Sequence, residues 1–240
     1  MKIICDTNIW YAFSSGKLDF NKYKHLNLVP TYTNLNELVI TENVIHKFDL
    51  VKNALTYLLF FKDKICLIHP FLQIAEVNGF THQIRNDGAV ELLRQAEIIA
   101  SSASINGLGP NYTIANIKRE RKYREDVPEF FKDELSRSGK SELRNHDQIE
   151  KLTYMMSVLV NQFIRNTGVI KIIDSKKNEL LLKTFSRFFN EMQIQMKMTG
   201  NDWYDLYILS YVQPGDKYWT LEKRWLNLIT SAGMAEYLFK

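Results

Sequence analysis

The pattern of apolar and polar positions divides the chain into three stretches. Over about the first 75 residues, short apolar runs at 3–5, 28–32 and 65–68 are typical of buried strands, and the segment 33–61 is typical of a helix. Helices and strands in alternation predict a parallel sheet covered by helices. The sequence from 199 to 240 returns to this style, with helical patterns at 201–212 and 222–229 around an extended run at 218–221.

The middle of the chain has a different pattern of apolar and polar residues. Between about residues 76 and 198 the patterns are long and helical, with few strand signals. One stripe has steps of three and four residues, which places its members on one helix face that we expect in the core. Its members are Ile149, Leu152, Met156, Leu159 and Phe163. We therefore predict a single domain over 1–240, with its α/β core from 1–75 and 199–240 and a helical insertion at about 76–198.

Composition bounds the class of protein. The 240 residues are 45% apolar and 24% charged, which suits one large globular domain or two small ones. The longest apolar run, 55–61, falls far short of the roughly 20 residues that cross a bilayer, so we expect no membrane association. Asp6 would interrupt the apolar core of a signal peptide, which favours a cytoplasmic location. The net charge of +4 leaves the partner open.

Cysteine and histidine offer little for a metal site. Cys5 and Cys66 form no CxxC pair, and we expect both to be buried apolar fillers. The five histidines share no ligand spacing, which disfavours zinc.

Acidic residues, in contrast, recur in one local context, at a strand end or a helix start. They are Asp6, Glu37, Asp205 with Asp202 one helical turn before it, and Glu222. Each also has a purely structural interpretation. Asp6 could cap the first helix, the spacing of Asn34 and Glu37 is that of a capping box, as is that of Asp202 and Asp205, and Glu222 suits a first helical turn.

The four positions become more informative when they are taken together. In a parallel sheet the carboxyl ends of strands and the amino ends of the following helices share one edge, so these acids would converge there. Crowded carboxylates raise one another's pKa unless a cation lies between them. Oxygen ligands of this kind suit Mg²⁺ or Mn²⁺, which act on phosphate esters. The pattern therefore predicts phosphodiester hydrolysis.

Four segments in this order resemble the signature of PIN-domain nucleases: CDTNIW, TNLNELV, NDWYDLYILSYV and YWTLEKRW. The resemblance covers roughly 1–75 and 199–240. It implies a three-layer α/β/α sandwich with a mostly parallel central sheet, and a Mg²⁺- or Mn²⁺-dependent ribonuclease whose products carry a 5′-phosphate and a 3′-hydroxyl. Many members of that family are toxins paired with an antitoxin.

By this resemblance, the family's four acidic metal ligands correspond to Asp6, Glu37, Asp205 and Glu222. Asn8 and Thr220 match the polar residues that support the first and last acids, and Asp202 could share the role of Asp205. The chain departs from the family's pattern in two respects: position 222 is glutamate where aspartate is usual, and compact members lack a helical insertion of this size.

The densest basic segment is IKRERKYRED, residues 117–126. Its acids offset much of the charge, so one interpretation is a solvated helix face. The other makes its cations a contact for the RNA backbone near the acidic site, with Tyr123 available to stack on a base. Those cations are Lys118, Arg119, Arg121, Lys122 and Arg124.

Two other functions stay open at the level of sequence. The chain could be a non-catalytic PIN-like module that binds RNA or protein, or a structure-specific nuclease acting on flap DNA. A second copy of the chain or an antitoxin are further conceivable partners. Aromatic residues near the predicted acids are expected to lie mostly in the core; they are Trp203, Tyr204, Tyr207, Trp219 and Trp225.

Overall fold

A computed structural model describes residues 1–84, 87–109, 112–122, 148–192 and 200–240. The fold is α/β and mostly helical (61%), with a small parallel sheet of three strands. The strands are β1 (Ile3–Cys5), β2 (Leu28–Val29) and β3 (Lys217–Trp219), in the order β2-β1-β3. The central strand β1 therefore has its carboxyl end between the ends of the other two.

Helices make up most of the remaining structure. In chain order they are α1 (Thr7–Ser14), α2 (Phe20–Tyr23), α3 (Tyr32–Val39), α4 (Asn43–His46), α5 (Phe48–Leu59), α6 (Pro70–Val77), α7 (Asp87–Ser101), α8 (Ile114–Lys122), α9 (Gln148–Phe163), α10 (Glu179–Met192), α11 (Gly200–Leu209) and α12 (Lys223–Ser231). Short 3-10 turns lie at Lys62–Lys64, Ile105–Leu108 and Ala235–Tyr237.

The sheet separates two hydrophobic cores, because successive side chains of a strand point to opposite faces. Ile3 and Cys5 of β1 pack with side chains of α1, α3, α5 and α7. Ile4, with Tyr218 of β3, packs on the other face with side chains of α6, α9, α10, α11 and α12. Both faces of β1 are buried, which explains its continuous apolar run.

Several predicted elements differ from those observed. The run 65–68 is not a strand, and only Cys66 forms an isolated parallel bridge, to Thr31. The run 28–32 is a strand only at Leu28–Val29, because Thr31 already caps α3. The predicted helix 33–61 is divided into α3, α4 and α5, with non-helical backbone at Ile40 and Lys47 between them.

The helices of the middle stretch share both cores with the ends of the chain. Helix α7 packs on α3 and α5, while α9 packs on α6 and α10 packs on α11 and α12. In the stripe on α9, Leu152, Met156 and Leu159 are buried, as predicted. The domain boundaries and the description of 76–198 as an insertion stay predictions. None of the helices in the described ranges combines the length and apolar character that a bilayer span requires.

Candidate metal centre

Two strands lead directly into helices at the carboxyl edge of the sheet. Asp6 follows β1 and occupies the N-cap position of α1, and Glu222 shortly follows β3 and occupies the N-cap position of α12. Neither carboxylate makes a side-chain capping hydrogen bond. Asp6 therefore stands at the cap position that the structural interpretation predicted, while its carboxylate is held by other side chains.

The predicted acids line a pocket at this edge, and three of them, Asp6, Asp205 and Glu222, form a close group, while Glu37 lies outside that group. Asp6, Glu37, Asp205 and Glu222, which we call the acid site, line one pocket of about 650 Å³. Single carboxylate oxygens of Asp6, Asp205 and Glu222 all lie within 4.8 Å of one another. Asp6 is buried, Asp205 is half-buried and Glu222 is exposed, so the three carboxylates extend from the protein interior to the solvent.

Asp6 is fixed by the two predicted supporting residues. Its Oδ2 accepts hydrogen bonds from the Nδ2 of Asn8 at 2.7 Å and from the hydroxyl of Thr220 at 2.6 Å. The same Thr220 oxygen accepts a hydrogen bond from the backbone N–H of Glu222 at 3.1 Å. Asn8 and Thr220 therefore join the segment that carries Asp6 to the segment that carries Glu222.

Glu37 is tied to the start of α1 through Thr7, a partner that the sequence did not predict. The Thr7 hydroxyl donates to Oε2 of Glu37, and the Thr7 oxygen accepts from Nδ2 of Asn34 at 3.0 Å. Asn34 is itself part of a capping box with Thr31 at the start of α3. The predicted capping box of Asn34 and Glu37 is therefore wrong, because the helix begins one turn earlier.

Asp205 is oriented by a tryptophan from α12. The indole Nε1 of Trp225 donates to Oδ2 of Asp205 at 2.7 Å. Trp225 is fully buried and lies parallel to Phe188, with ring centroids 5.7 Å apart. An indole N–H can donate to a carboxylate, so the tryptophan three residues after Glu222 was the available signal in the sequence.

Asp202 has a different partner. Its Oδ1 forms an ion pair with Nη1 of Arg224, whose guanidinium lies 5.0 Å from the Phe188 ring centroid. Asp202 lines the acid pocket, but its oxygens lie outside the group formed by Asp6, Asp205 and Glu222. Arg224 is the one lysine or arginine among the described residues that line this pocket.

Burial and mutual repulsion disfavour negative charge on the carboxylates of the acid site. Burial, and then the charges of Asp6, Glu37 and Glu222, raises the pKa of Asp205 to about 9. Burial also raises the pKa of Asp6, against the hydrogen bond from Thr220. Carboxylate oxygens at this spacing match the ligands that Mg²⁺ and Mn²⁺ prefer, so this donor set suits such a cation.

No protein-family description, no curated protein and no solved structure matches this chain. Any function assigned to the acid site therefore rests on its chemistry and geometry.

The predicted basic contact is described only in part. Lys118 and Arg119 are exposed on α8. The backbones of Arg121 and Lys122 belong to the same helix, while their side chains, and all of Arg124, lie outside the described residues. Arg119 lines a second cavity, which shares Ile40 and Tyr204 with the acid pocket.

Proposed function

We propose that this protein is a Mg²⁺- or Mn²⁺-dependent ribonuclease of PIN-like fold that hydrolyses RNA phosphodiester bonds at the acid site. One observation carries the proposal: three carboxylates from distant segments bring oxygens within 4.8 Å of one another at the carboxyl edge of a parallel sheet. Like charges at this spacing are unfavourable in the absence of a cation. Burial of both faces of the sheet supports the three-layer architecture that the resemblance implies.

When bound at the acid site, a divalent cation would supply Lewis-acid polarisation of the scissile phosphate and of an attacking water. Asp6 and Asp205 would hold the cation, and the hydrogen bonds from Thr220 and Trp225 to their Oδ2 atoms fix the orientation of the two carboxylates. Glu222, the exposed member of the group, would be the third ligand. Glu37 accepts a hydrogen bond from Thr7 and lines the same pocket as these three carboxylates.

Arg224 contributes positive charge beside the acids. Its ion pair with Asp202 places the guanidinium at the pocket, where it favours an approaching phosphate without entering the group of carboxylates. Asp202 acts in this proposal as the residue that positions Arg224, in place of the predicted role as a ligand. The further prediction of an antitoxin partner has no structural observation behind it and stays a prediction.

Cleavage of a 5′-labelled single-stranded RNA tests the proposal directly. We expect cleavage with Mg²⁺ or Mn²⁺, none with chelator, and a loss of at least about 100-fold in Asp6→Asn and Asp205→Asn proteins that keep the wild-type circular dichroism spectrum. Asp63→Asn removes an exposed carboxylate outside the site and serves as the matched control. Unchanged cleavage in both site variants would rule out the acid site.

Two further arms separate the alternatives. A flap DNA offered in competition with the RNA should be cut more slowly if the substrate is RNA, and preferential cutting of the flap would assign a DNA nuclease. RNA binding that persists in chelator, with no shortened product at any divalent concentration, would assign a non-catalytic binding module.

A further inference from the structure

A second cavity of about 830 Å³ lies beside the acid pocket. Helices α3 and α11 separate the two, and adjacent residues on each helix face different sides. Asn36 lines the cavity and Glu37 the acid pocket; Trp203 lines the cavity and Asp202 the acid pocket. Ile40 and Tyr204 belong to both. A ligand in the cavity would therefore lie next to whatever the acid site holds.

Flat rings form much of the cavity wall. His69 and Phe163 are stacked with centroids 4.3 Å apart and an angle of 13° between their planes. Tyr32 lies against His69 at 5.2 Å, and Tyr207 lies against Phe71 at 5.4 Å. Aromatic rings that line a cavity are platforms on which planar molecules can stack.

Polar atoms at the wall lack partners. The Oδ1 of Asn36 and the hydroxyl of Tyr112 are buried, and neither has a hydrogen-bond partner in the part of the chain that the structure describes. The Nδ1 of His69 accepts the backbone N–H of Phe71, so the neutral ring carries its proton on Nε2 and offers a donor. A buried polar atom without a partner is unfavourable, so the Asn36 and Tyr112 oxygens favour a ligand that can form hydrogen bonds at its edge.

From these contacts we infer that the cavity binds one unpaired nucleobase of single-stranded RNA, in the nucleotide adjacent to the scissile phosphate. The inference rests on the proposed function for the position of that phosphate. A base is planar enough to stack on the rings and has donors and acceptors at its edge for Asn36 and His69. Arg119, at the wall of the same cavity, supplies a cation for the RNA backbone. An acyl chain would leave the buried polar atoms unsatisfied.

The test uses the full chain in chelator, where no cleavage takes place. A ten-nucleotide single-stranded RNA carrying one 2-aminopurine reports stacking as quenched fluorescence. We expect Phe163→Leu to weaken binding about 10-fold and Asn36→Leu about 5-fold, each with loss of quenching. Phe60→Leu makes the same change at an exposed ring outside the cavity and should bind as the wild type does.

A substrate change keeps the test independent of protein folding. An abasic nucleotide placed next to the bond that the wild-type protein cuts should raise KM about 10-fold, while an abasic nucleotide at the far end of the RNA should not. If metal-dependent cleavage is unchanged by both the abasic nucleotide and the cavity variants, the base pocket is wrong, and the nuclease proposal is unaffected. Quenching that depends on Phe163 and Asn36, without cleavage under any metal, would support the pocket and overturn the nuclease.

Discussion

The indole Nε1 of Trp225 donates a 2.7 Å hydrogen bond to Oδ2 of Asp205, joining the first residues of α12 to the middle of α11. This bond restricts the rotation of a carboxylate that lies among three others. The position of Asp205 is therefore set by the packing of a fully buried ring as well as by its own helix.

Replacing Trp225 by phenylalanine should weaken Mn²⁺ binding by roughly 5- to 10-fold, because the ring volume is largely kept while the donor to Asp205 is lost. Isothermal titration of Mn²⁺ measures the effect. Trp10→Phe is a matched control, since Trp10 is equally buried and its Nε1 has no partner among the described residues. Equal Mn²⁺ affinity in the two variants would mean that the indole does not orient Asp205.

The metal-free protein should become less stable as the pH rises. The pKa of Asp205 is about 9 in the fold, against an ordinary value of 3.8, so the folded state binds more protons than the unfolded state between these limits. The stabilisation is fully present below about pH 4 and is lost as the pH rises through about 9.

Urea unfolding in chelator between pH 5 and pH 9 measures this slope. Asp205→Asn should reduce it by up to about 1.4 kcal/mol per pH unit, while Asp63→Asn should leave it unchanged. A wild-type free energy of unfolding that stays constant or rises over this range would contradict the crowding of the acids.

Thr220→Val should impair cation binding most at low pH. The Thr220 hydroxyl holds the pKa of Asp6 below the value that burial alone would give, so its removal should raise that pKa further. We expect the loss of Mn²⁺ affinity to be several-fold greater at pH 6 than at pH 8. Thr220→Ser keeps the hydroxyl and should behave as the wild type does; a loss in Thr220→Ser as large as that in Thr220→Val would show that the hydroxyl does not set the affinity.

Arg224→Gln should lower the free energy of unfolding by about 2 to 3 kcal/mol, because it removes the ion pair between Arg224 and the buried carboxylate of Asp202. The double variant with Asp202→Asn should be more stable than Arg224→Gln alone. Urea unfolding of the wild type, the two single variants and the double variant measures the coupling between the pair in a double-mutant cycle. A double variant whose loss equals the sum of the single losses would exclude coupling between the pair.

The positions of Asp6 and Glu222 between a strand and a helix could be predicted from the sequence, because strand ends and helix starts are local features. Asp6 and Glu222 follow strands that the apolar pattern indicates, and Asn8 and Thr220 lie within two residues of them. The arrangement within each of these two short segments is therefore set by neighbouring residues in the sequence. The parallel sheet then brings their ends together, as the alternation of helices and strands predicted.

The partners of the acids could not be predicted in the same way. Thr7 with Glu37, Trp225 with Asp205 and Arg224 with Asp202 meet only when helices pack at a particular rotation, which hydrophobic spacing does not define to within a hydrogen bond. The run 65–68 was wrongly predicted as a strand, because β propensity depends on a neighbouring strand and here pairing is limited to one bridge.

The hydrogen bond from Thr220 to Asp6 joins residues 214 positions apart. During translation, Asp6 leaves the ribosome long before Thr220 and Glu222 exist, so a nascent chain carries the first acid without its support. If the acid site cuts RNA, the growing polypeptide is harmless to the message and the ribosome that produce it until β3 has been synthesised and has paired with β1.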